Sequence, residues 1–478
     1  MQRKFLSGLA LMLILNLLIK PLAIFGIDAE VQDQVGDAQY GIYFPLLSFT
    51  FLFNILLDFG INNYNTKRVA QYQKDAVGDL GKILVLRGGL FVLYAIVTFG
   101  IAFALGWREF QIYLLSFLVL NQFFVAAIAF ARSYFTGMLM FKTEAVLSVL
   151  DRLLLIIFCG ALLYLPNSDQ PFQIEWFVWI QTLCYGLAFI VAFALLLRKT
   201  GLPKLKFDRK FSFDLIKKSV PYALLILLMM IYTRVDSVMV ERLHVNGNLE
   251  AGYYAKGFRL FDALFMFAMI FTGLLYPIFS QQLIQKKNFK PLLSSATKLL
   301  AGGTIALGII AYFNGWIILN WIYENDVLPS VESFQWLMLA FVGMATNLLF
   351  GTILTANGSL KFLNTVSAIG IVLNVGVNFF LIPKYGASGA ALATLITQGS
   401  VSLVQIIYCV RLFSLKITLI PILQFVGFIA SVWMICYFVK VDSLLLFALV
   451  GVASLAGMFV FGLIDFKQLK SIFTSKAE

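Results

Sequence analysis

Apolar stretches of about twenty residues follow one another along the whole chain, separated by short polar segments rather than by long linkers. A hydrocarbon core about 30 Å thick takes roughly twenty helical residues to cross, so each stretch reads as one transmembrane helix. About fourteen are expected, near 6–27, 40–60, 81–105, 110–131, 144–165, 174–197, 219–240, 252–276, 293–318, 331–355, 363–382, 388–409, 418–439 and 443–463. The divisions at 382–388 and 439–443 are the least marked, because their links are short. The N-terminal run MQRKFLSGLALMLILNLLIK starts basic and turns apolar, as a secretory signal does. It is long, however, and no small-x-small cleavage site follows, so it is expected to persist as the first span. The pattern predicts an all-α integral membrane protein.

The spans also echo one another. DAQYGIY at Asp37–Tyr43, opening the second span, resembles EAGYYAK at Glu250–Lys256, opening the eighth. The same offset of 213 residues carries 6–27 onto 219–240. A second echo sets Phe135–Lys142 (FTGMLMFK) against Ala356–Phe362 (ANGSLKF). Six spans repeated in parallel predict two six-helix lobes related by a pseudo-twofold axis along the membrane normal, with a site between them. The expected divisions are an N-terminal lobe 1–200, a basic cytoplasmic linker 201–218, a second lobe 219–410, and two additional helices with a cytoplasmic tail over 411–478.

Composition sharpens the class: 61% of the 478 residues are apolar and 13% charged, against about 25% charged in soluble domains. The 36 Lys and Arg against 24 Asp and Glu follow membrane topology, and no nucleic-acid partner is expected. With both termini in the cytoplasm, cytoplasmic segments hold roughly 26 Lys and Arg and the outer loops about 4. The largest basic cluster, RKTGLPKLKFDRKFSFDLIKK at 198–218, joins the two halves. It is read as a topology determinant, with a lipid-headgroup or partner site as the alternative. Outer loops are acidic: Asp28, Glu30, Asp33 and Asp37 in one, Glu324 and Asp326 in another.

Charge inside the bilayer is the best functional pointer, since each such residue costs about 2.5–3.5 kcal/mol at a helix centre. Lys20 in the first span, Arg234 in the seventh, and Lys256 and Arg259 three apart in the eighth are expected in the outer half of the membrane, forming a cationic patch that attracts phosphate. Asp236 and Asp262 are candidate cavity acids, or partners of Arg259. Asp58 and Arg87 lie near the cytoplasmic ends, where snorkelling suffices. Asp151 and Arg152, adjacent in sequence, are expected to point apart, with Arg152 a weak candidate for the cavity wall. Asn121, Gln122, Asn374 and Asn378 suggest hydrogen bonding between helices.

No catalytic constellation is visible. One histidine, His244, leaves nothing for a triad or a metal cluster, and no phosphate-binding GxxxxGK[ST] loop occurs. Cys159, Cys184, Cys409 and Cys436 sit in apolar runs without CxxC spacing, as packing residues do. No metal or cofactor is expected, nor enzymatic activity.

YTRVDSVMV at Tyr232–Val240 with EAGYYAKGFRL at Glu250–Leu260 resembles the central signature of the polysaccharide exporter and O-antigen repeat-unit flippase family. NGSLK at Asn357–Lys361 and NVGVNFFLIPKYGASGAALAT at Asn374–Thr394 resemble its C-terminal region. The resemblance covers essentially the whole chain. It implies the fold shared with multidrug and toxin extrusion transporters and lipid II flippases, the two extra C-terminal spans being similar to those of flippases. It also implies a substrate, an oligosaccharide on undecaprenyl pyrophosphate carried from the cytoplasmic to the periplasmic leaflet of the inner membrane, and cavity cations on the first, seventh and eighth helices, matching Lys20, Arg234, Lys256 and Arg259. A lipid II flippase or a cation-coupled multidrug exporter of the same fold are the alternatives. A monomer is expected, with association with a polysaccharide polymerase or assembly machinery left open.

Overall fold

The apolar runs fold as helices throughout a computed structural model that describes residues 2–71, 77–164, 171–415, 418–439, 441 and 443–464. The tail expected to be cytoplasmic lies, from residue 465 on, outside the described residues. Two compact units divide after Glu241.

The first unit begins with α1 (Gln2–Ala23), a π-helical turn (Ile24–Asp28) and α2 (Ala29–Val35), which together make one uninterrupted helix. The acidic stretch expected as an outer loop is therefore helical. Asp28 and Gln32 are buried, and Gln32 Nε2 donates to Asp37 Oδ1 at 2.7 Å. Gly36, at φ +80°, ends the run and admits α3 (Asp37–Leu52).

The span expected over 40–60 also differs. It breaks after α3, resumes as the single turn α4 (Ile55–Asp58), and reverses at Phe59 and Gly60, both at positive φ, into α5 (Ile61–Gln71). There follow α6 (Leu80–Ala104), α7 (Phe110–Gly137), α8 (Phe141–Leu147) with α9 (Leu150–Tyr164), α10 (Ile174–Thr200) and α11 (Arg209–Leu243). Helices α8 and α9 form one 24-residue span with a turn at Ser148 and Val149.

The division after Glu241 does not coincide with the linker 201–218. Glu241 is held by first-unit side chains, Trp107 Nε1 at 3.3 Å and Gln111 Nε2 at 3.0 Å.

In the second unit, α12 (Gly247–Ile284), α13 (Lys290–Phe313), α14 (Gly315–Asn320), α15 (Leu328–Ala356) and α16 (Leu360–Leu412) are followed by α17 (Leu419–Phe438) and α18 (Leu444–Val460). The 53 residues of α16 are two helices joined at Gly386, at φ +53°. An added Cβ there would stand 2.1 Å from the Glu250 carboxylate, which accepts a 2.8 Å hydrogen bond from the Ala387 N–H and so begins the second helix. Helices α17 and α18 pack on α13 through Phe428, Val432, Val450 and Met458 against Ala306, Ile309 and Ile310.

Ten helices among the described residues are long and apolar enough to cross a membrane. With α16 counted as two, and α1, α3 and α18 added, each of the fourteen expected spans has a helical counterpart.

Close helix approaches rest on glycine. A Cβ at Gly257 of α12 would meet the Phe334 Cα of α15 at 2.9 Å. Gly257→Ala therefore forces two backbones apart. We expect a loss of about 1–3 kcal/mol, read as a lower unfolding temperature in detergent.

Candidate functional site

Asn16 Nδ2 donates to Ser148 Oγ at 2.8 Å, which fixes the register of α1 against the α8–α9 span. One turn further on, Lys20 comes within electrostatic reach of Asp151 and Arg152, the eleventh and twelfth residues of that 24-residue span, and of Arg132 and Glu144. The electrostatic neighbours of Lys20 thus lie along the first half of that span and near the end of α7.

The carboxylates of this cluster are already engaged. Glu144, buried, accepts from Arg132 Nη2 at 2.5 Å and Nε at 3.1 Å. Asp151 Oδ2 lies 3.6 Å from Arg152 Nε, so these neighbours do pair, contrary to the expectation that they point apart. Flexible side chains at the turn that precedes α9 bring together groups whose Cβ directions diverge. The Arg152 guanidinium also lies over the Tyr185 ring at 5.7 Å. Lys20, Arg132 and Arg152 thus stand near Glu144, Asp151 and, beside Arg152, Asp28, and the Lys20 ammonium makes no ion pair among the described residues.

Arg234 lies nine residues before the end of α11. Its guanidinium lies 5.0 Å from the centre of the Phe51 ring, and Asp236, two residues on, is fully buried. In the second unit Lys256 has 0% exposure; its Nζ donates to the Asp326 carbonyl at 3.3 Å and lies 5.4 Å from the Tyr323 ring centre. Lys256 is thus directed into the fold and does not snorkel. Arg259 and Asp262 are half-buried on the same helix.

Arg87 does not snorkel either. It is 7% exposed and lies 4.7 Å from the Phe130 ring centre. Its Nη1 donates to Asp58 Oδ1 at 3.2 Å and Asn62 Oδ1 at 2.9 Å, and its Nη2 to the Ala126 carbonyl at 2.9 Å. It borders a cavity of about 200 Å³ walled by Phe123, Phe130, Phe189 and Phe193. Gln122 Nε2 bonds Thr50 Oγ1 across helices at 3.3 Å, as expected, whereas Asn378 Nδ2 bonds Asn374 Oδ1 at 3.1 Å within one helix.

Sequence reasoning missed Arg132 and Glu144. Opposite charges flanking the turn at Met138–Met140 were the available signal, since a helical hairpin brings such residues together. Among the described residues no cluster of three His, Cys, Asp or Glu side chains is placed to hold a metal ion.

A multi-pass helical bundle with charged side chains inside its helices is the build of a membrane transporter or flippase. A family model described as polysaccharide biosynthesis protein matches residues 6–283, and the chain belongs to that family. It is similar to two uncharacterised membrane proteins of Methanocaldococcus jannaschii. One is 21% identical, covering 82% of this chain and 81% of that protein; the other is 24% identical, covering 79% and 91%. Its fold is similar to that of lipid II flippase MurJ in an inward closed conformation, with a TM-score of 0.74 at 17% identity over 97% of this chain and 98% of that one. It is also similar to an inward-facing multidrug resistance MATE transporter of the MOP superfamily, with a TM-score of 0.61 at 13% identity over 86% and 98%.

Proposed function

We propose that this protein is a flippase that carries undecaprenyl-pyrophosphate-linked oligosaccharide units from the cytoplasmic to the periplasmic leaflet of the inner membrane for surface polysaccharide assembly, O-antigen and lipopolysaccharide included. The observation that carries the reading is the Lys20 ammonium, which makes no ion pair among the described residues while Glu144 and Asp151 lie against arginines. A polyprenyl tail can stay in lipid, whereas a sugar–pyrophosphate head needs a lined path through hydrocarbon. Cations at mid-depth supply charge-assisted hydrogen bonds to the pyrophosphate. Lys20 and Arg234 fill that role, with Lys256 and Arg259 contributing from α12 and Asp236 and Asp262 tuning their charge. The protein acts by alternating exposure to the two leaflets, with both termini in the cytoplasm, as a monomer and without enzymatic chemistry. Family membership supports the polysaccharide context.

The test is translocation of a labelled undecaprenyl-pyrophosphate oligosaccharide in proteoliposomes, read by access of an impermeant reagent to the sugar. We expect protein-dependent transfer. Transfer of lipid II alone, or of organic cations alone, would assign the chain to one of the other substrate classes and overturn the proposal.

A further inference from the structure

Residues 201–208 link the end of α10 to the start of α11, and the structure pins them at the membrane boundary. Helices α6 and α10 are both spans, and Leu80 and Thr200 end them on the same side of the first unit. The Lys204 carbonyl lies so close to Gly81, in the first turn of α6, that a Cβ at Gly81 would stand 2.0 Å from it. Lys82, the next residue, bridges Asp79 at 3.0 Å and Asp208 at 3.2 Å. Arg68, also paired with Asp79, and Lys82 lie over the Phe211 ring at 5.5 and 5.4 Å. The Phe211 N–H donates to Asp208 Oδ1 at 3.0 Å, and together with Lys82 it holds that carboxyl below the usual carboxylate range.

The segment so fastened turns an unusual surface outward. Leu202, Leu205 and Phe207 are 87%, 69% and 64% exposed although they lie outside the spans, and Phe213 is exposed beyond them. Among them stand Arg198, Lys199, Lys204, Lys206, Arg209 and Lys210, all exposed. The one acid in 198–213, Asp208, is already bound by Lys82. Apolar anchors interleaved with unneutralised cations at headgroup depth match an anionic bilayer surface on both counts. An acidic protein partner would answer the cations alone.

We propose that residues 198–213 form a docking surface for anionic phospholipids of the adjoining leaflet. Leu202, Leu205 and Phe207 insert beside the upper acyl chains, and the cations bind headgroup phosphates. The surface is separate from the charges around Lys20 and does not depend on the substrate assigned above.

The full-length protein is reconstituted in phosphatidylcholine vesicles carrying photoactivatable phosphatidylglycerol or, in parallel, photoactivatable phosphatidylcholine, and crosslinks are mapped. The anionic probe should label 198–213 roughly tenfold more than the zwitterionic one, and the preference should collapse in high salt. K204Q/K206Q/R209Q/K210Q should lose it, while K204R/K206R/K210R should keep it and labelling of α18 should not change. Should the glutamine variant fail to fold, the salt titration of the unaltered protein decides. Equal labelling by both probes, a preference that survives the glutamine substitutions or high salt, or labelling by undecaprenyl pyrophosphate that phosphatidylglycerol does not compete would each overturn the proposal.

Discussion

Arg234→Gln is expected to abolish translocation of the lipid-linked oligosaccharide while the protein still inserts and accumulates. Truncating one partner of a desolvated, hydrogen-bonded charge pair costs about 2–5 kcal/mol, a factor of at least roughly thirty. If Arg234 grips the pyrophosphate in transit, that loss falls on transport. Arg234→Lys separates charge from shape: it keeps the cation but loses the planar fork that meets phosphate oxygens in two places and lies flat on Phe51. A partial defect is expected there. Lys20→Gln should resemble Arg234→Gln, because both cations are proposed to meet the pyrophosphate. Milder effects are expected at Lys256 and Arg259. A purely architectural Arg234 would behave otherwise, with the glutamine variant losing accumulation and thermal stability in step with activity. Normal transport by the Lys20/Arg234 double-neutral variant at matched protein level would sink the cationic mechanism while leaving the fold intact.

Asp58→Ala is expected to give the largest loss of stability, about 3–5 kcal/mol, because it strands a buried guanidinium. Asp58 has two further duties. Its Oδ2 accepts from the Gly60 N–H at 3.1 Å and its Oδ1 from the Asn62 N–H at 3.2 Å, so it also caps the start of α5 across the reversal at Phe59 and Gly60. Asp58→Asn keeps an acceptor for those amides but not the charge, and should fall between. Arg87→Met should cost less than Asp58→Ala, since the carboxylate left behind is partly exposed and still binds two backbone amides. Thermal unfolding in detergent, with the double variant Asp58→Asn/Arg87→Met closing the cycle, checks the ordering. Equal losses for Asp58→Ala and Arg87→Met would mean that the stranded cation is not the cause.

Much of the fold was legible because hydrocarbon thickness imposes one length on every span. The number of spans and the residues carrying charge at depth could be read from run lengths alone. What escaped was set by contacts between distant residues. The acids at 28–37 read as a loop because polar residues usually leave the bilayer, yet Gln32 and Asp37 satisfy each other and the helix continues. The site was legible as a set of cations but not as a balance of charge. That Glu144 and Asp151 both lie against arginines, with Lys20 in no ion pair among the described residues, depends on rotamers that spacing does not encode.

The contact between Glu250 and the bend in α16 bears on how this sequence can change. EAGYYAK and KYGASGAA, quoted as separate marks of family likeness, meet at one hydrogen bond, the Ala387 N–H on the Glu250 carboxylate. Gly386 leaves the room that this carboxylate fills, and its positive φ is one that side chains resist. The two positions are therefore bound by epistasis. Shortening Glu250 leaves a helix start without its acceptor, and any residue larger than glycine at 386 both strains the bend and expels the carboxylate. A drifting sequence can cross that pair only by changing both together, so two motifs more than a hundred residues apart are inherited as one.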